Sequence, residues 1–191
     1  MKHLEEIRAA KEQVVLMQSA QGSQQLAEAW KLFLYRVNRC RNKMYAQYKD
    51  CKQSGKWKSD YEKLHKSDEL LRYIVNARGA EEHTVQEIYE VTPGGIGIKP
   101  AVGNSMTIDH LVAVNGRLLE FKSREPVRVE FVPEKLVPSP ITNRGVLYTV
   151  PTSHLGKTLK SSDIISLAEA TIEFYENMSR EAQEFFRDKA T

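Results

Sequence analysis

The spacing of apolar residues changes period twice along this chain, and those two changes limit its possible folds more than any other feature. Before Ile88 apolar side chains recur at three- and four-residue steps. From Ile88 to Val150 glycine and proline become frequent and strand formers such as valine take over; from Ser162 the helical spacing returns. The pattern predicts a mainly α chain of four helices, with a β-rich insertion between the third and the last, α+β overall. In residue terms, 1–87 is the first part of a helical core, 88–160 the insertion, and 161–191 a carboxy-terminal helix that completes the core.

Within the first segment, Leu4, Ile7, Val14, Val15 and Met17 predict an amphipathic helix from Lys2 to Ser19 that ends at Gln21-Gly22. Ser23 caps a second helix. Trp30, Phe33, Leu34, Val37, Met44 and Tyr48 give it a broad apolar stripe, and it ends before Gln53-Ser54-Gly55. A third is expected to begin near Ser59, where Ser59-Asp60-Tyr61-Glu62 fits a capping box, and to bury Tyr61, Leu64, Leu71, Ile74 and Val75. It then reaches Gly79, a place for a helix to stop or kink. In the middle, Asn115-Gly116 marks a type I′ hairpin between Met106–Val114 and Arg117–Phe121. Val127–Val132 alternates like a strand with one buried face, Gly145–Val150 is another strand, and Pro133, Pro138 and Pro140 keep the link between them irregular. The last helix is capped by Ser162, has Asp163 at its positive end, and turns Ile164, Leu167, Ala168, Thr171, Tyr175, Met178, Ala182 and Phe185 inward.

With 191 residues, 41% hydrophobic and 28% charged, the chain has the composition of a folded globular protein. It has no apolar run of signal-peptide or membrane-spanning length, so a cytoplasmic protein with no membrane partner is expected. Cys40 and Cys51 lack zinc-site spacing and read as reduced and structural. The net charge of +3 is unevenly spread: from Arg36 to Lys58 the basic residues include Arg39, Arg41, Lys43, Lys49, Lys52 and Lys56, against the single acid Asp50. This is either a solvated helix face or a footprint for a phosphate backbone.

Tyr73–His83 carries the candidate chemistry. Arg78 precedes His83 by five positions, which leaves the two about 140° apart on an unbroken helix; a break near Gly79 would bring them together. Histidine titrates near neutral pH and suits proton transfer, while a guanidinium offers two parallel hydrogen bonds to phosphoryl oxygens. The bland alternative is an ordinary polar helix end. Arg78 would then pair with Glu81 or Glu82, and His83 would satisfy backbone carbonyls.

Asn76-Ala77-Arg78-Gly79-Ala80-Glu81-Glu82-His83, at the end of a core helix and followed later by a long amphipathic helix, resembles the Arg-x4-6-His signature of HEPN domains. The resemblance covers roughly Ser23–Glu87 and Ser162–Lys189. It implies a helical bundle of four to five helices, usually dimeric, many of whose members are metal-independent endoribonucleases of toxin or phage-defence systems. Gly79 and Val85 stand where active members often have a polar residue and a tyrosine. On this resemblance Arg78 and His83 are catalytic, Asn76 and Glu82 support them, and Arg39, Arg41 and Lys43 hold RNA. No cofactor or metal is implied; RNA, a second copy of the chain and a neutralising protein are the implied partners. The alternative is a non-catalytic HEPN-like dimerisation or nucleotide/protein-binding module, with a structural component of a phage or mobile element as a third reading.

Other motifs are weaker. Gly94-Gly95-Ile96-Gly97 lacks the context of a phosphate loop and reads as a turn. Asp109-His110 has no third ligand nearby, His65 and His154 show no sequence partner, and Ser153-His154 is not a triad. Tyr45 and Tyr48, beside the basic run, are core or boundary residues or platforms for bases.

Overall fold

The computed structural model describes residues 1–83, 87–115, 117–132 and 134–187, with His83 described through its backbone alone. The chain forms two compact units, one of Met1–Glu90 with Leu136–Thr191 and one of Val91–Lys135. Its class is mixed α+β.

Among the described residues the first unit contains five helices: α1 (Lys2–Ser19), α2 (Ser23–Gln47), α3 (Ser54–Ser67), α4 (Glu69–His83) and α5 (Ile164–Arg187). The α2 stripe is buried as its spacing predicts, with Trp30, Phe33, Leu34 and Met44 fully enclosed. Around it pack α1, α4 and α5. The predicted α5 stripe is buried too, except that Phe186 takes the buried place expected for Phe185, which is only partly covered. A polar tie joins three helices: His3 of α1 meets Gln47 Oε1 at 2.9 Å and Ser179 Oγ of α5 at 2.8 Å.

The expected third helix is two. Ser59 lies inside α3, so the capping box does not form, and the chain breaks at Asp68, whose backbone is extended. Asp68 Oδ1 accepts the Leu71 N–H at 2.9 Å, the bond of an N-cap residue. Ser67-Asp68-Glu69 was the legible signal for this second start. Gly79, conversely, does not stop its helix, since α4 runs through it to His83. A Cβ at Gly79 would lie 2.6 Å from Nδ2 of Asn143, so the glycine is explained by close approach between α4 and a following strand. At the start of α5 the cap is Asp163: its Oδ1 accepts the Ile165 and Ser166 N–H groups, while Ser162 Oγ donates to the Pro151 carbonyl.

Among the described residues, four short strands lie wholly in this unit and two more straddle its boundaries at Glu90 and Leu136. β1 (Tyr89–Thr92) pairs with β6 (Lys135–Pro138), β7 (Ile141–Asn143) with β8 (Val146–Tyr148), and β9 (Ser153–His154) with β10 (Lys157–Thr158). β7 and β9 pack on α4.

In the second unit, β2 (Gly95–Pro100) pairs antiparallel with β5 (Val127–Val132), in register from Gly95 opposite Val132 to Pro100 opposite Val127. β3 (Ile108–Val114) and β4 (Arg117–Ser123) form the expected hairpin, closed by Val114 opposite Arg117. Asn115 has the positive φ, 50°, that such a turn requires; Gly116 lies outside the described residues, as does Pro133. The alternation in β5 does not bury one face. Val129 and Phe131 are exposed, Phe131 by 80%: among the described residues β5 pairs with β2 alone, and a two-stranded ladder does not by itself cover its apolar side chains.

Candidate functional site

Two basic centres stand on the helical unit, and they use different parts of the run on α2. The first gathers round Tyr35. Guanidinium carbons of Arg36, Arg39 and Arg78 lie 5.7, 5.3 and 5.5 Å from its ring centroid, within cation–π range. Arg39 also donates to the Tyr35 hydroxyl at 2.7 Å. Thus Arg39 of α2 and Arg78 of α4, singled out by separate sequence arguments, share one aromatic ring.

Beneath this group lies Glu6 of α1. Its side chain is 4% exposed and accepts from Arg36 at 3.2 Å, Arg39 at 3.0 Å and Lys43 at 2.5 Å. Burial pushes the carboxyl up, but the bonds from Lys43, Arg39 and Arg36 outweigh it and hold the group below its ordinary value of 4.5. The Arg39 guanidinium is held more firmly protonated in return, first by Glu6 and then by Tyr35. Two of the three expected RNA-binding residues, Arg39 and Lys43, are therefore ion-paired within the helical unit.

Arg78, 14% exposed, bonds Glu81 at 2.9 Å and Glu82 at 3.2 Å, while its Nε has no hydrogen-bond partner among the described residues. Those are the carboxylates named by the bland alternative. The His83 side chain lies outside the described residues. Asn76 donates to the Arg72 carbonyl at 2.8 Å and accepts from Asn143 Nδ2 at 3.0 Å, tying α4 to β7.

The second centre is an open cleft of about 660 Å³ between α2, α3, α4 and β8. Arg41, the third expected RNA-binding residue, lines it together with Lys58, Lys66 and Arg72. One carboxylate, Glu62, faces these four cations and lies 3.6 Å from Lys58. Its walls include Tyr45 and Tyr148, with the apolar Val75 and Val146. His65 also lines it, yet is turned to structure: one ring nitrogen lies 2.6 Å from the Tyr61 carbonyl and the other 2.9 Å from the Tyr175 hydroxyl. That geometry fits a neutral ring donating through Nδ1 and accepting at Nε2. Burial lowers its pKa to about 4, so it carries no charge at neutral pH.

Sequence reasoning missed the partner of His154. Its Nδ1 donates to Asp68 Oδ1 at 2.9 Å, and Asp68 Oδ2 accepts the Leu155 N–H at 2.6 Å. Next to it Glu69 accepts from Thr152 and Ser153 backbone N–H groups, both at 3.0 Å. These two acids latch the 152–155 segment to the start of α4, and Asp68 spends its acceptors on capping and latching. Asp109 and His110 pair with Arg124 and Glu120 on exposed strands. Among the described residues no group of three or more His, Cys, Asp or Glu side chains is placed to hold a metal ion, and no helix is long and apolar enough to cross a membrane.

The chain has no significant match among protein-family models, curated proteins or solved structures.

Proposed function

We propose that the helical unit binds RNA and cleaves it without a metal ion, using Arg78 and His83 at the end of α4. The observation that carries this reading is the convergence of Arg36, Arg39 and Arg78 on Tyr35: it joins the basic face of α2 to the residue that the Arg-His motif assigns to phosphate. An RNA phosphate entering there meets guanidinium groups already ordered by an aromatic ring and by Glu6. Arg78 exchanges its contacts with the partly exposed Glu81 and Glu82 for phosphoryl oxygens. The ribose 2′-hydroxyl attacks the adjacent phosphorus, the bond to the 5′-oxygen breaks, and a cyclic phosphate is left. Arg78 stabilises the charge that builds on the phosphoryl oxygens, and His83 moves a proton from the nucleophile or to the leaving oxygen. A second copy of the chain would bring the other proton-transfer group, as in the dimeric family that the motif resembles. Asn76 ties α4 to β7, and Glu82 holds the arginine until RNA takes its place.

One observation favours a second reading, a non-catalytic binding module: Arg78 is already bonded by two carboxylates of its own helix. A labelled structured RNA, incubated with a chelator, separates the two. Cleavage leaving cyclic phosphate ends, reduced about 10²- to 10⁴-fold by His83→Ala and about 10²- to 10³-fold by Arg78→Ala in folded variants, is expected of the ribonuclease. Binding without cleavage across a broad RNA panel would establish the module.

A further inference from the structure

The unit Val91–Lys135 has no core of its own. None of its described residues is buried, and a two-stranded ladder is at best marginally stable in water. The two faces of the β2–β5 ladder differ. Register places Ile96, Ile98 and Pro100 beside Phe131, Val129 and Val127 on one face. Lys99, Arg128 and Glu130 share the other, with the Glu130 carboxylate 2.7 Å from each cation.

Proteins blunt free strand edges with bulges, glycine or proline. Among the described strands of this unit, β3 and β4 are broken by register shifts, and β2 carries Gly95, Gly97 and Pro100. β5 has none of these devices within it. It runs unbroken from Val127 to Val132, pairs with β2 alone among the described residues, and is bracketed in sequence by Pro126 and Pro133. Its residues are also self-complementary. An antiparallel second copy centred on Val129 sets Arg128 opposite the partner's Glu130 and Val127 opposite the partner's Phe131, and the two-fold axis repeats both pairs. Opposite charges and an aromatic beside a β-branched residue are favourable cross-strand neighbours. Slipping by two residues sets Arg128 against itself or Glu130 against itself, and slipping by one moves the apolar side chains to the charged face.

We infer that β5 is a strand-pairing edge for a second copy of this chain, joining two ladders into one four-stranded antiparallel sheet in register about Val129. The Arg-His resemblance does not reach this unit, so the contact is distinct from the helical dimer it implies and does not rest on RNA cleavage. With both two-fold contacts formed, the chain assembles beyond a dimer.

Sedimentation of the full chain and disulfide trapping test it. Arg128→Glu and Glu130→Arg each set like charges opposite one another twice, and each is expected to weaken association through β5 by about tenfold or more, lowering the assembly mass. The double variant Arg128→Glu/Glu130→Arg, and an equimolar mixture of the two single variants, are expected to restore that mass, which a merely unfolded strand would not do. Arg128→Glu leaves its own ladder paired, because residue 128 lies opposite Lys99. Trapping reads the register in a Cys51→Ser background, Cys40 being buried. Val129→Cys is expected to cross-link to the partner's residue 129, since opposite Cα atoms lie about 4.5–5.5 Å apart, within disulfide reach. Val127→Cys and Phe131→Cys are expected to cross-link with each other and neither with itself, four strand steps being about 13 Å. The inference is overturned if the parent sediments as a monomer up to about 100 μM, where even a weak specific contact is populated. It is overturned too if charge reversal leaves the mass unchanged, the result expected when the helices alone dimerise, or if residue 129 cross-links to itself no faster than 127 or 131. A chain that passes these tests yet cleaves no RNA keeps this contact and loses only the cleavage centre.

Discussion

Replacing Glu6 by glutamine tests whether the basic face of α2 is held by one buried acid. The carboxylate is 4% exposed, whereas Arg36, Arg39 and Lys43 keep 37%, 43% and 27% of their side-chain surface in solvent. Breaking a fully buried ion pair costs about 3–5 kcal/mol, and an exposed pair is worth about 0.2–1 kcal/mol. Glutamine retains one acceptor and the cations are partly hydrated, so the expected cost lies between those limits, about 2 kcal/mol. For a chain of this size that is a fall of about 4–8 °C in melting temperature. The dependence on acidity has a definite sign. Because the folded carboxyl lies below its ordinary value of 4.5, its contribution is fully present above that value and is lost as pH falls through the lower folded value. The gap between parent and variant, followed by urea denaturation across pH, must therefore be widest near neutrality and narrow on acidification. Melting temperatures equal within about 1 °C near neutral pH, or a gap that persists in acid, would refute the reasoning. A functional consequence is also expected. Glu6→Gln frees Arg39 and Lys43, so RNA binding should depend more steeply on salt, by about 0.7 in the logarithmic slope for each new phosphate contact to a single strand.

Further outcomes follow from individual contacts. Asp68→Ala removes both the α4 cap and the anchor of His154 and Leu155, and is expected to cost about 2–4 kcal/mol by urea denaturation, against about 1 kcal/mol for an ordinary cap. Gly79→Ala should give no gain in the parent, because the added methyl displaces Asn143 from its bond with Asn76. In an Asn143→Ala background the same change should stabilise by about 1 kcal/mol, the helix propensity difference, and a double-mutant cycle measures that reversal. His65, whose folded pKa lies below its ordinary 6.5 at about 4, binds its proton more readily unfolded; stability is full above 6.5 and falls as pH drops towards 4. His65→Gln should flatten part of that acid-side loss; His3, which burial shifts in the same direction, and lowered carboxyls such as Glu6 and Asp68 contribute to the rest.

The elements were legible where the information is local. An apolar stripe such as Trp30–Phe33–Leu34–Val37 declares a helix and its inward face from spacing alone, because the 3.6-residue period fixes which side chains share a surface. The hairpin at Asn115 was readable for the same reason: two neighbouring residues set the turn. The split at Asp68 was also written locally but overshadowed by a stronger-looking capping box at Ser59, and the actual α3 begins five residues earlier at Ser54, where Gln53 adopts a positive φ of 64° that sequence gives little reason to expect. The exposure of Phe131 shows the opposite limit, since alternation announces a strand but cannot supply a layer to cover it.

By itself the sequence determined the periods, the helical and strand-rich segments, and the residue types suited to phosphate chemistry. Only the tertiary structure decided which cations are neutralised and which are left over. Glu6 reaches Arg39 and Lys43 because α1 packs on α2; Asp68 meets His154, and Gly79 approaches Asn143, because distant strands return to α4. Such pairings depend on closing long loops around a shared core rather than on the propensity of any short stretch. Hence Arg39, Arg41 and Lys43, alike in one basic run, end in different places: two against a buried carboxylate, and one at the wall of a cleft where a single acid, Glu62, faces four cations.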